Sequence, residues 1–429
     1  MELFEHQKEA LELSKKWNRV AYYYDMGLGK TFIGAEKMRQ LGAKCNLVIC
    51  QKSKIDDWYD HFEKYYGDYY HVFQYSKSSF EVFMWEVDHG TPCVMIVNYD
   101  LVWRRKDFLE LEAFTLMLDE SSMIQHDTSH RSKFILKLKA DNVILLSGTP
   151  TSGKYETLWT QMYLLGWKIS KDLYMKQYLD TELVSIGNRK VRKQIGYKNV
   201  PRLKRKMREH GCLFKKTNEV LDLPERIFTD IKVSNCPEYK KFTKDRIVTL
   251  KDDTVLVGDT SLTKLLYERE LCGMYNPYKI EAFVDMVEST SNRLIVFYNF
   301  KEELHAMQKA LLNVDHAYYS QVFSVVNGSE KNLENYENKS DSITFIQYRS
   351  GSKGLNLQKA NTVIYFSPPL SSEDFEQSQK RIHRIGQTGT CFYYKMVCKD
   401  SVEIDIYRTL AMRKDYTDDL FKQYSEEKS

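Results

Sequence analysis

The stretch that decides the fold is Asp25-Met26-Gly27-Leu28-Gly29-Lys30-Thr31. It follows the apolar run Val20–Tyr24, which has the composition of a buried strand, and it precedes the helix-like stretch Phe32–Met38. A strand, a tight glycine loop and a helix form the setting in which backbone N–H groups at a helix N-terminus hold a phosphate chain. The sequence therefore predicts a nucleotide-binding loop, with a ligand-free glycine turn as the alternative.

The residue types in this loop divide the work of holding a triphosphate. Gly27 and Gly29 let the backbone bend around phosphate oxygens, Lys30 places a charge on the β- and γ-phosphates, and Thr31 offers a hydroxyl to Mg²⁺. The predicted ATP-contacting residues of the loop are Met26, Gly27, Leu28, Gly29, Lys30 and Thr31, and Lys30 is also predicted to be catalytic.

Short apolar runs alternate with helical segments through the rest of the first half. They are Asn46–Cys50, Cys93–Val97, Phe114–Leu118 and Asn142–Leu146. Largely apolar runs of this length are typical of a parallel sheet covered on both faces, in which ligands gather at the carboxyl ends of the strands.

Polar residues follow these runs where such a sheet would bind a ligand. Asp119-Glu120 comes directly after one run, and Ser147–Pro150 comes after the next. Opposite a phosphate-binding loop, Asp119 is predicted to hold Mg²⁺ together with Thr31, and Glu120 to orient or deprotonate the attacking water. A bare Asp-Glu pair is otherwise common on protein surfaces.

Composition limits the classes of protein to which the chain can belong. Its 429 residues predict two domains, and 42% hydrophobic residues are ample for packing two cores. No apolar run approaches the roughly eighteen residues of a membrane span, and no secretory signal is visible at the start. Eight cysteines without a Cys-x-x-Cys pair predict buried apolar side chains rather than a zinc site or a disulfide framework. We therefore expect a soluble protein of the cytoplasm, with the nucleus as the alternative.

The formal net charge of +4 is small, but its distribution is uneven. Residues 188–208 contain ten Lys or Arg and no acid. This basic stretch is open to three interpretations: a solvated face, a disordered arm, or a surface that contacts the phosphates of a nucleic acid.

Taken in order, these motifs resemble those of the Swi/Snf-type family of DNA-dependent ATPases and translocases, within the DEAD/DEAH-box helicase superfamily. Gln7, the loop and the two polar strand ends match its first motor lobe. Gly351–Leu357 and Gln377–Gln387 are similar to the family's fifth and sixth motifs. The chain departs from the family pattern at Tyr24, Ser122, Ser352, Gln379 and Lys380.

The resemblance implies an α/β fold with two RecA-like parallel-sheet lobes and helical insertions between them. We expect a first lobe over residues 1–222, with a helical and basic protrusion over about 155–222. The second lobe spans 223–429, with a helical protrusion over about 235–280. Further apolar runs support a sheet in the second half: Leu294–Tyr298, Ser342–Ile346, Thr362–Phe366 and Phe392–Val397.

The resemblance also implies roles for single residues. Gln7 would read the edge of adenine. Arg381 and Arg384, three positions apart and thus neighbours on one helix face, would act as arginine fingers alongside the catalytic Glu120. The remaining implied ATP contacts are Gly354, Asn356 and Gln377. The predicted nucleic-acid contacts are Lys52, Ser53, Asn98, Tyr99, Arg202, Lys204, Arg205, Lys206, Arg349 and Ser350.

The function implied by the resemblance is ATP-driven movement along double-stranded DNA without full strand separation, using ATP and Mg²⁺. The expected partner is duplex DNA, with branched DNA and DNA-bound proteins as further candidates, and the expected state is a monomer that binds no membrane. The alternatives are a strand-separating DNA or RNA helicase and an ATP-gated clamp without turnover. The absence of accessory domains suggests a viral or bacterial origin, with the host cytoplasm as the location if viral.

Overall fold

The computed structural model describes residues 2–151, 153–186, 189–348 and 355–413, with the side chains of 186 and 189–192 also outside the description. The chain forms two compact units, the first ending at Val220 and the second starting at Leu221. This division lies two residues from the boundary predicted from sequence.

The first unit contains nine strands and nine α-helices among its described residues. The strands are β1 Arg19–Tyr24, β2 Cys45–Cys50, β3 His71–Gln74, β4 Cys93–Asn98, β5 Phe114–Asp119, β6 Asn142–Ser147, β7 Leu179–Ile186, β8 Arg189–Tyr197 and β9 Cys212–Lys215. The helices are α1 Glu5–Leu13, α2 Lys30–Leu41, α3 Ile55–Tyr66, α4 Lys77–Asp88, α5 Tyr99–Val102, α6 His130–Ile135, α7 Trp159–Leu164, α8 Lys171–Tyr178 and α9 Val200–Glu209.

Seven strands of this unit form one wholly parallel sheet in the order β3-β4-β2-β5-β6-β1-β9. The strands β5, β6 and β1 are direct neighbours, and their register pairs Asp119 with Leu146 and Tyr23 with Ser147. The carboxyl ends of these three strands therefore lie side by side. Their middles are almost entirely buried, so polar residues occur where the strands end.

The second unit contains a further nine strands within the described ranges. They are β10 Arg226–Val233, β11 Ile247–Thr249, β12 Val255–Val257, β13 Leu294–Tyr298, β14 Phe323–Val326, β15 Lys331–Asn332, β16 Ile343–Gln347, β17 Thr362–Tyr365 and β18 Cys391–Cys398. The helices are α10 Pro237–Asp245, α11 Ser261–Cys272, α12 Pro277–Glu288, α13 Lys301–Val314, α14 His316–Tyr319, α15 Glu334–Asn338 and α16 Ser372–Gln379, followed by a helix over 402–413.

The sheet of the second unit has the order β10-β18-β17-β13-β16-β14-β15 and is parallel except for the β14–β15 pair. Side chains of β13 alternate between two core clusters: Leu294, Val296 and Tyr298 pack in one, and Ile295 and Phe297 in the other. This sheet is thus covered on both faces, and the predicted α/β fold with two parallel-sheet units is confirmed.

The predicted protrusions are only partly helical. In the segment 155–222, β7 and β8 form an antiparallel pair, and β9 joins the edge of the large sheet beside β1. In the segment 235–280, β11 and β12 form a second antiparallel pair between α10 and α11. The helical prediction was therefore wrong for these strands, because cross-strand pairing outweighed the charged, helix-favouring composition.

All eight cysteines are free and buried, as predicted from their spacing. Cys272, Cys398 and Glu403 lie close enough for their ligand atoms to approach within 4.8 Å of one another. However, the Glu403 carboxylate already accepts a hydrogen bond from Lys279 Nζ at 2.6 Å and another from the Cys398 N–H at 2.9 Å. The ammonium of Lys279 therefore balances this charge without a metal ion.

The Lys279–Glu403 pair is fully buried, with both side chains at 0% exposure. Burial alone lowers the pKa of Lys279, but the Glu403 carboxylate and the neighbouring thiols more than offset it and raise the pKa. Since both ions are desolvated, each depends on the other to remain charged.

We predict that Lys279→Met destabilises the chain by about 3–5 kcal/mol, because it leaves the Glu403 carboxylate buried without a cation. The double variant Lys279→Met/Glu403→Gln should recover much of this loss, since neither charge remains. Urea denaturation measures both effects. The exposed pair Arg408–Asp405 provides the control, and Arg408→Met should change stability far less. Equal losses in Lys279→Met and Arg408→Met would contradict the prediction.

Candidate nucleotide-binding site

The glycine loop connects the end of β1 to the first turn of α2. Gly27 and Gly29 have φ angles of 87° and 68°, in the left-handed region that favours glycine. A Cβ atom at Gly29 would lie 2.2 Å from Nε2 of Gln7, so a larger residue would displace Gln7 from the loop. The twelve-residue helix α2 starts directly after this turn, at Lys30, and presents its N-terminus to the loop.

Lys30 is the first residue of α2, and its ammonium group bonds back to the start of the glycine loop. Its Nζ donates hydrogen bonds to the carbonyl oxygens of Tyr24 at 2.8 Å and Asp25 at 3.2 Å. The Asp25 carboxylate accepts hydrogen bonds from the backbone N–H and the hydroxyl of Thr217. The loop is thus tied to the segment that follows β9, and it holds a positive charge at the carboxyl end of β1.

Asp119 ends β5 and Glu120 follows it, Ser147 ends the neighbouring strand β6, and the glycine loop follows β1, the next strand in the sheet. Ser147 Oγ lies 3.4 Å from Oε2 of Glu120, and Glu120 itself has a φ of 54°. This left-handed turn stops β5 and turns the chain immediately after Asp119. The predicted acidic pair and the predicted Ser147–Pro150 turn therefore meet at one edge of the sheet.

The carboxylate of Asp119 is fixed by a residue that sequence analysis missed. The indole Nε1 of the buried Trp58, in α3, donates a hydrogen bond of 2.8 Å to Asp119 Oδ2. Burial, reinforced by the Glu120 charge, raises the pKa of Asp119 to about 6, although the Trp58 hydrogen bond and the charge of Lys30 act in the opposite direction.

Gln161, in α7, is a second residue without a sequence signal. It is fully buried, and its Oε1 accepts hydrogen bonds from Tyr23 in β1 at 2.9 Å and from Ser121 at 2.7 Å. Its Nε2 donates to the carbonyl of Pro150 at 2.8 Å. One amide therefore connects β1, the chain after Glu120 and the Ser147–Pro150 turn, which fixes the three strand ends relative to one another.

Gln7 lies against the loop, as its predicted role requires. Its Oε1 accepts from the Phe4 N–H at 2.9 Å, and its Nε2 lies 3.4 Å from the Gly29 carbonyl. His6 Nε2 bonds to the Leu28 carbonyl at 3.0 Å, and Phe4, 64% exposed, stacks on His6. Phe4 and His6 are thus two further loop neighbours that the sequence analysis did not single out, although they flank Gln7.

Three of the implied ATP contacts of the second unit, Arg381, Arg384 and Asn356, meet at Leu355–Asn356. Arg381 donates to the Leu355 carbonyl at 3.2 Å, and Arg384 hydrogen-bonds the side chain of Asn356. Burial lowers the pKa of Arg384. Gln377 is 2% exposed, and its Nε2 donates to Glu373 at 3.1 Å.

The two arginines do not share a helix face, which corrects the prediction. The helix α16 ends at Gln379, and both arginines lie in the turns that follow it. The end of α16 is held by two buried tyrosines of the sheet. Tyr393 donates to the Gln379 carbonyl at 2.6 Å, and Tyr365 bonds to the Ser378 hydroxyl at 3.0 Å. The predicted contact Gly354 lies outside the described residues.

Comparison with known families finds matches over most of the chain. A family model of the SNF2-related domain matches residues 11–272, and a model of the helicase conserved C-terminal domain matches residues 278–386. The chain belongs to the SNF2-related family. The resemblance inferred from the motifs is thereby confirmed.

Two curated relatives illustrate the range of this SNF2-related family. The chain is 22% identical over 405 residues to an uncharacterized ATP-dependent helicase of Mycoplasma genitalium, covering 88% of this chain and 38% of the relative. It is 24% identical over 435 residues to the protein CHROMATIN REMODELING 5 of Arabidopsis thaliana, covering 89% and 24%. The chain thus spans between about a quarter and two fifths of the length of these relatives.

The chain also matches the solved structure of the Sulfolobus solfataricus SWI2/SNF2 ATPase core in complex with dsDNA. The identity is 18% and the TM-score 0.45, over 97% of this chain and 92% of that one.

Within the described parts of this SNF2-related chain, no helix combines the length and the apolar character needed to cross a membrane.

The predicted nucleic-acid contacts of this SNF2-related chain fall into three groups. Lys52 and Ser53 are exposed on a 3₁₀ turn after β2, and Arg202 and Arg205 are exposed on α9. Asn98 is half-buried, and its Oδ1 caps α5 by accepting the Asp100 and Leu101 N–H groups. Arg349 and Ser350 lie outside the described residues.

Two of these predictions conflict with burial, and a third is weakened by ion pairing. Tyr99 is 1% exposed, and its hydroxyl donates to the Asp119 carbonyl at 2.9 Å. It therefore stabilises the backbone of the acidic pair and is not available to a nucleic acid. Lys204 is 6% exposed, which removes it from the surface of α9. Lys206 is paired with Glu209 at 2.6 Å. Residues three or four positions apart lie on the same face of a helix, and one face is buried. A run of charged residues does not by itself show which of them lie on the buried face.

The oxygen ligands near the loop fit a magnesium ion. Thr31 offers a hydroxyl on the first turn of α2, and Asp119 offers a carboxylate whose pKa is raised by burial, so a cation beside it is favourable. In the loop itself, Leu28 is buried at 1% exposure, which leaves its backbone as the group available to a ligand, whereas Met26 is half-buried beside Gly148.

We predict that Asp119→Asn stabilises the fold at pH 8 by about 3 kcal/mol and has little effect near pH 4. The pKa of Asp119 is raised in the folded state to about 6, so the unfolded chain ionises first and stability falls as the pH rises from about 4 to 6. Asparagine keeps an acceptor for Trp58 and removes the charge. Urea denaturation across this pH range measures the difference.

The exposed Asp60 of α3 serves as a matched control for this prediction. Asp60→Asn should show no comparable dependence on pH. A stabilisation by Asp119→Asn that is the same at pH 4 and pH 8 would show that the buried charge is not its cause.

Proposed function

We propose that the chain is a motor that hydrolyses ATP and uses the energy to move along double-stranded DNA. The observation that carries this proposal is the meeting of Lys30, Asp119, Glu120 and Ser147 at the carboxyl ends of the neighbouring strands β1, β5 and β6. A phosphate-binding loop beside a metal-binding acid and a second carboxylate contains the groups required to hydrolyse a nucleoside triphosphate.

In this proposal the residues of the first unit have separate tasks. The loop backbone and Lys30 hold the phosphates, and Lys30 leaves the Tyr24 and Asp25 carbonyls when a phosphate replaces them. Thr31 and Asp119 would hold Mg²⁺, which supplies charge neutralisation at the β- and γ-phosphate oxygens when bound. Glu120 accepts a proton from the attacking water.

Gln7 is proposed to recognise adenine through its amide. Its position next to Gly29 supports this role, because a base that follows the phosphates out of the loop would reach α1. Arg381 and Arg384 are proposed to stabilise the charge on the γ-phosphate in the transition state, as the family resemblance implies. Asn356, which hydrogen-bonds Arg384, and Gln377 are proposed as further contacts of that second set.

DNA as the partner is supported by family membership and by the names of the two relatives, one an ATP-dependent helicase and the other a chromatin-remodelling protein. The exposed Lys52, Ser53, Arg202 and Arg205 are candidates for contacts with its backbone. The alternatives are a strand-separating helicase and an ATP-gated clamp that binds nucleic acid without turnover.

We predict that duplex DNA stimulates phosphate release and that single-stranded DNA and RNA do so less. Lys30→Ala should weaken ATP binding, because a phosphate contact is lost, whereas Glu120→Gln should retain ATP and abolish turnover. Phosphate release and the binding of a fluorescent ATP analogue measure the two effects. Turnover of Glu120→Gln at the wild-type rate would contradict the role of this carboxylate, and ATP binding without any turnover by the wild type would favour the clamp.

We further predict that the wild type displaces a third strand from a triplex and leaves a forked duplex intact. A motor that moves along a duplex displaces a third strand bound in the major groove of that duplex. The same movement does not require the base pairs of the duplex to open. Gel assays of triplex and fork substrates with ATP measure the two activities, and Glu120→Gln is the control for ATP dependence. Efficient fork unwinding would favour the helicase alternative.

A further inference from the structure

The strands β7 and β8 form a two-stranded ribbon that is separate from the large sheet of the first unit. Thr181 pairs with Gln194 and the adjacent Glu182 with Lys193, so the two pairs lie on opposite faces of the ribbon. All four side chains are exposed. Both faces of the ribbon therefore contact solvent at these two pairs.

One face of the ribbon and the helix α8 border a cavity of about 530 Å³. Its apolar lining residues are Met175, Leu179 and Leu183, and its polar lining residues include Thr181, Lys176 and Lys198. Asp172 is the acid among the lining residues. We call this feature the ribbon groove.

The positive charge of the ribbon groove is not neutralised by ion pairs. Lys176 and Lys198 are both exposed, and neither forms an ion pair with any residue that the structure describes. Among the described side chains of the segment 171–198, Lys171 is paired with Asp127, whereas Lys193 and the two groove lysines are exposed. The charge that the groove itself offers to an anion is therefore that of Lys176 and Lys198.

The helix α9 provides a contrast within the same basic stretch. There Lys204 is buried, and Arg205 and Lys206 lie 3.9 Å and 2.6 Å from Glu209. Arg202 stays exposed on this helix, as Lys176 and Lys198 do in the ribbon groove, so both places offer positive charge to an anion.

We propose that the ribbon groove binds the phosphate backbone of duplex DNA through Lys176 and Lys198. This inference rests on the proposed function, to which it adds a contact outside the residues assigned from sequence. Two exposed lysines that line the same groove suit phosphate oxygens, and the hydroxyl of Thr181 and the amide of the neighbouring Gln194 offer hydrogen bonds to them.

Double-stranded DNA fits this groove better than a globular acidic protein does. A two-stranded ribbon has the width that a DNA groove accepts, and its exposed Leu183, at 65%, offers apolar contact to sugars. The contacts that the groove supplies are independent of base sequence, as a motor that moves along DNA requires.

The test uses the full chain with Lys176→Gln/Lys198→Gln, and its control is Lys137→Gln/Lys139→Gln. The control lysines are also exposed, but they precede β6 and so lie towards the amino ends of the strands, opposite the nucleotide loop. Duplex binding is measured over a range of salt concentrations. We expect the slope of log K against log[salt] to fall in magnitude by about one per lost phosphate contact, hence by about two in the groove variant. The control slope should equal that of the wild type.

Four further measurements separate the possible outcomes: DNA-independent ATP hydrolysis, thermal stability, the DNA concentration for half-maximal stimulation, and polyglutamate binding. DNA-independent ATP hydrolysis and thermal stability should be unchanged in the groove variant, while more DNA should be needed for half-maximal stimulation. An unchanged slope with normal duplex binding by the wild type would overturn the groove assignment alone. Failure of the wild type to bind duplex DNA would overturn the proposed function as well. Loss of polyglutamate binding with an unchanged duplex slope would assign the groove to an acidic polypeptide and overturn the proposal.

Discussion

The rest of the first unit depends on one constraint, which is that β1, β5 and β6 are neighbouring parallel strands buried on both faces. A strand in that setting cannot carry polar side chains in its middle without leaving them desolvated. Polar groups therefore collect where the strands end, and because the strands are parallel, their carboxyl ends share one edge. The nucleotide loop, the acidic pair and the Ser147–Pro150 turn lie together for this reason.

The same burial makes the site electrostatically unfavourable when empty. Asp119 is desolvated and lies beside Glu120, so its pKa rises to about 6 although Trp58 and Lys30 favour its charged form. A cation bound there would stabilise the ionised carboxylate and remove this penalty. The destabilisation at Asp119 in the metal-free fold therefore favours metal binding. Trp58, Tyr99 and Gln161 hold the surrounding groups in place and thereby keep the acid from relaxing toward solvent.

The sequence predicts best what is decided locally and in the middle of each sheet. The runs that became β1, β5 and β13 were found to within one residue, since central strands are continuously apolar. Strands near or at the sheet edges, such as β3, β10 and β15, were missed because they carry many exposed polar residues. The ribbon did have a signal in the sequence, since the dipeptide Gly187-Asn188 is typical of a two-residue hairpin turn.

The residues of the candidate site that no pattern revealed are those whose partners are distant in sequence. Trp58 is 61 residues from Asp119, and Gln161 is 138 residues from Tyr23. A glutamine or a tryptophan in a helix has no periodicity that names such a partner, so only the folded chain identifies it. Arg381 and Arg384 were predicted from the motif as a pair, and both donate to the Leu355 carbonyl. The end of α16 at Gln379, however, depends on Tyr393 and Tyr365, which belong to other elements.

The two anion sites proposed for the first unit differ in physical character. At the nucleotide loop, Lys30 is half-buried and held by backbone carbonyls at the end of β1, next to the start of a helix. In the ribbon groove, Lys176 and Lys198 are exposed on flexible stems. Partly buried charges are screened weakly by salt, whereas exposed charges are screened within about 10 Å at 0.1 M ionic strength. Salt should therefore weaken the hold on a polyanion much more than the hold on a nucleotide. A motor must release and regain its track in every cycle while it retains ATP long enough to hydrolyse it, and this difference in screening allows the two affinities to be set independently.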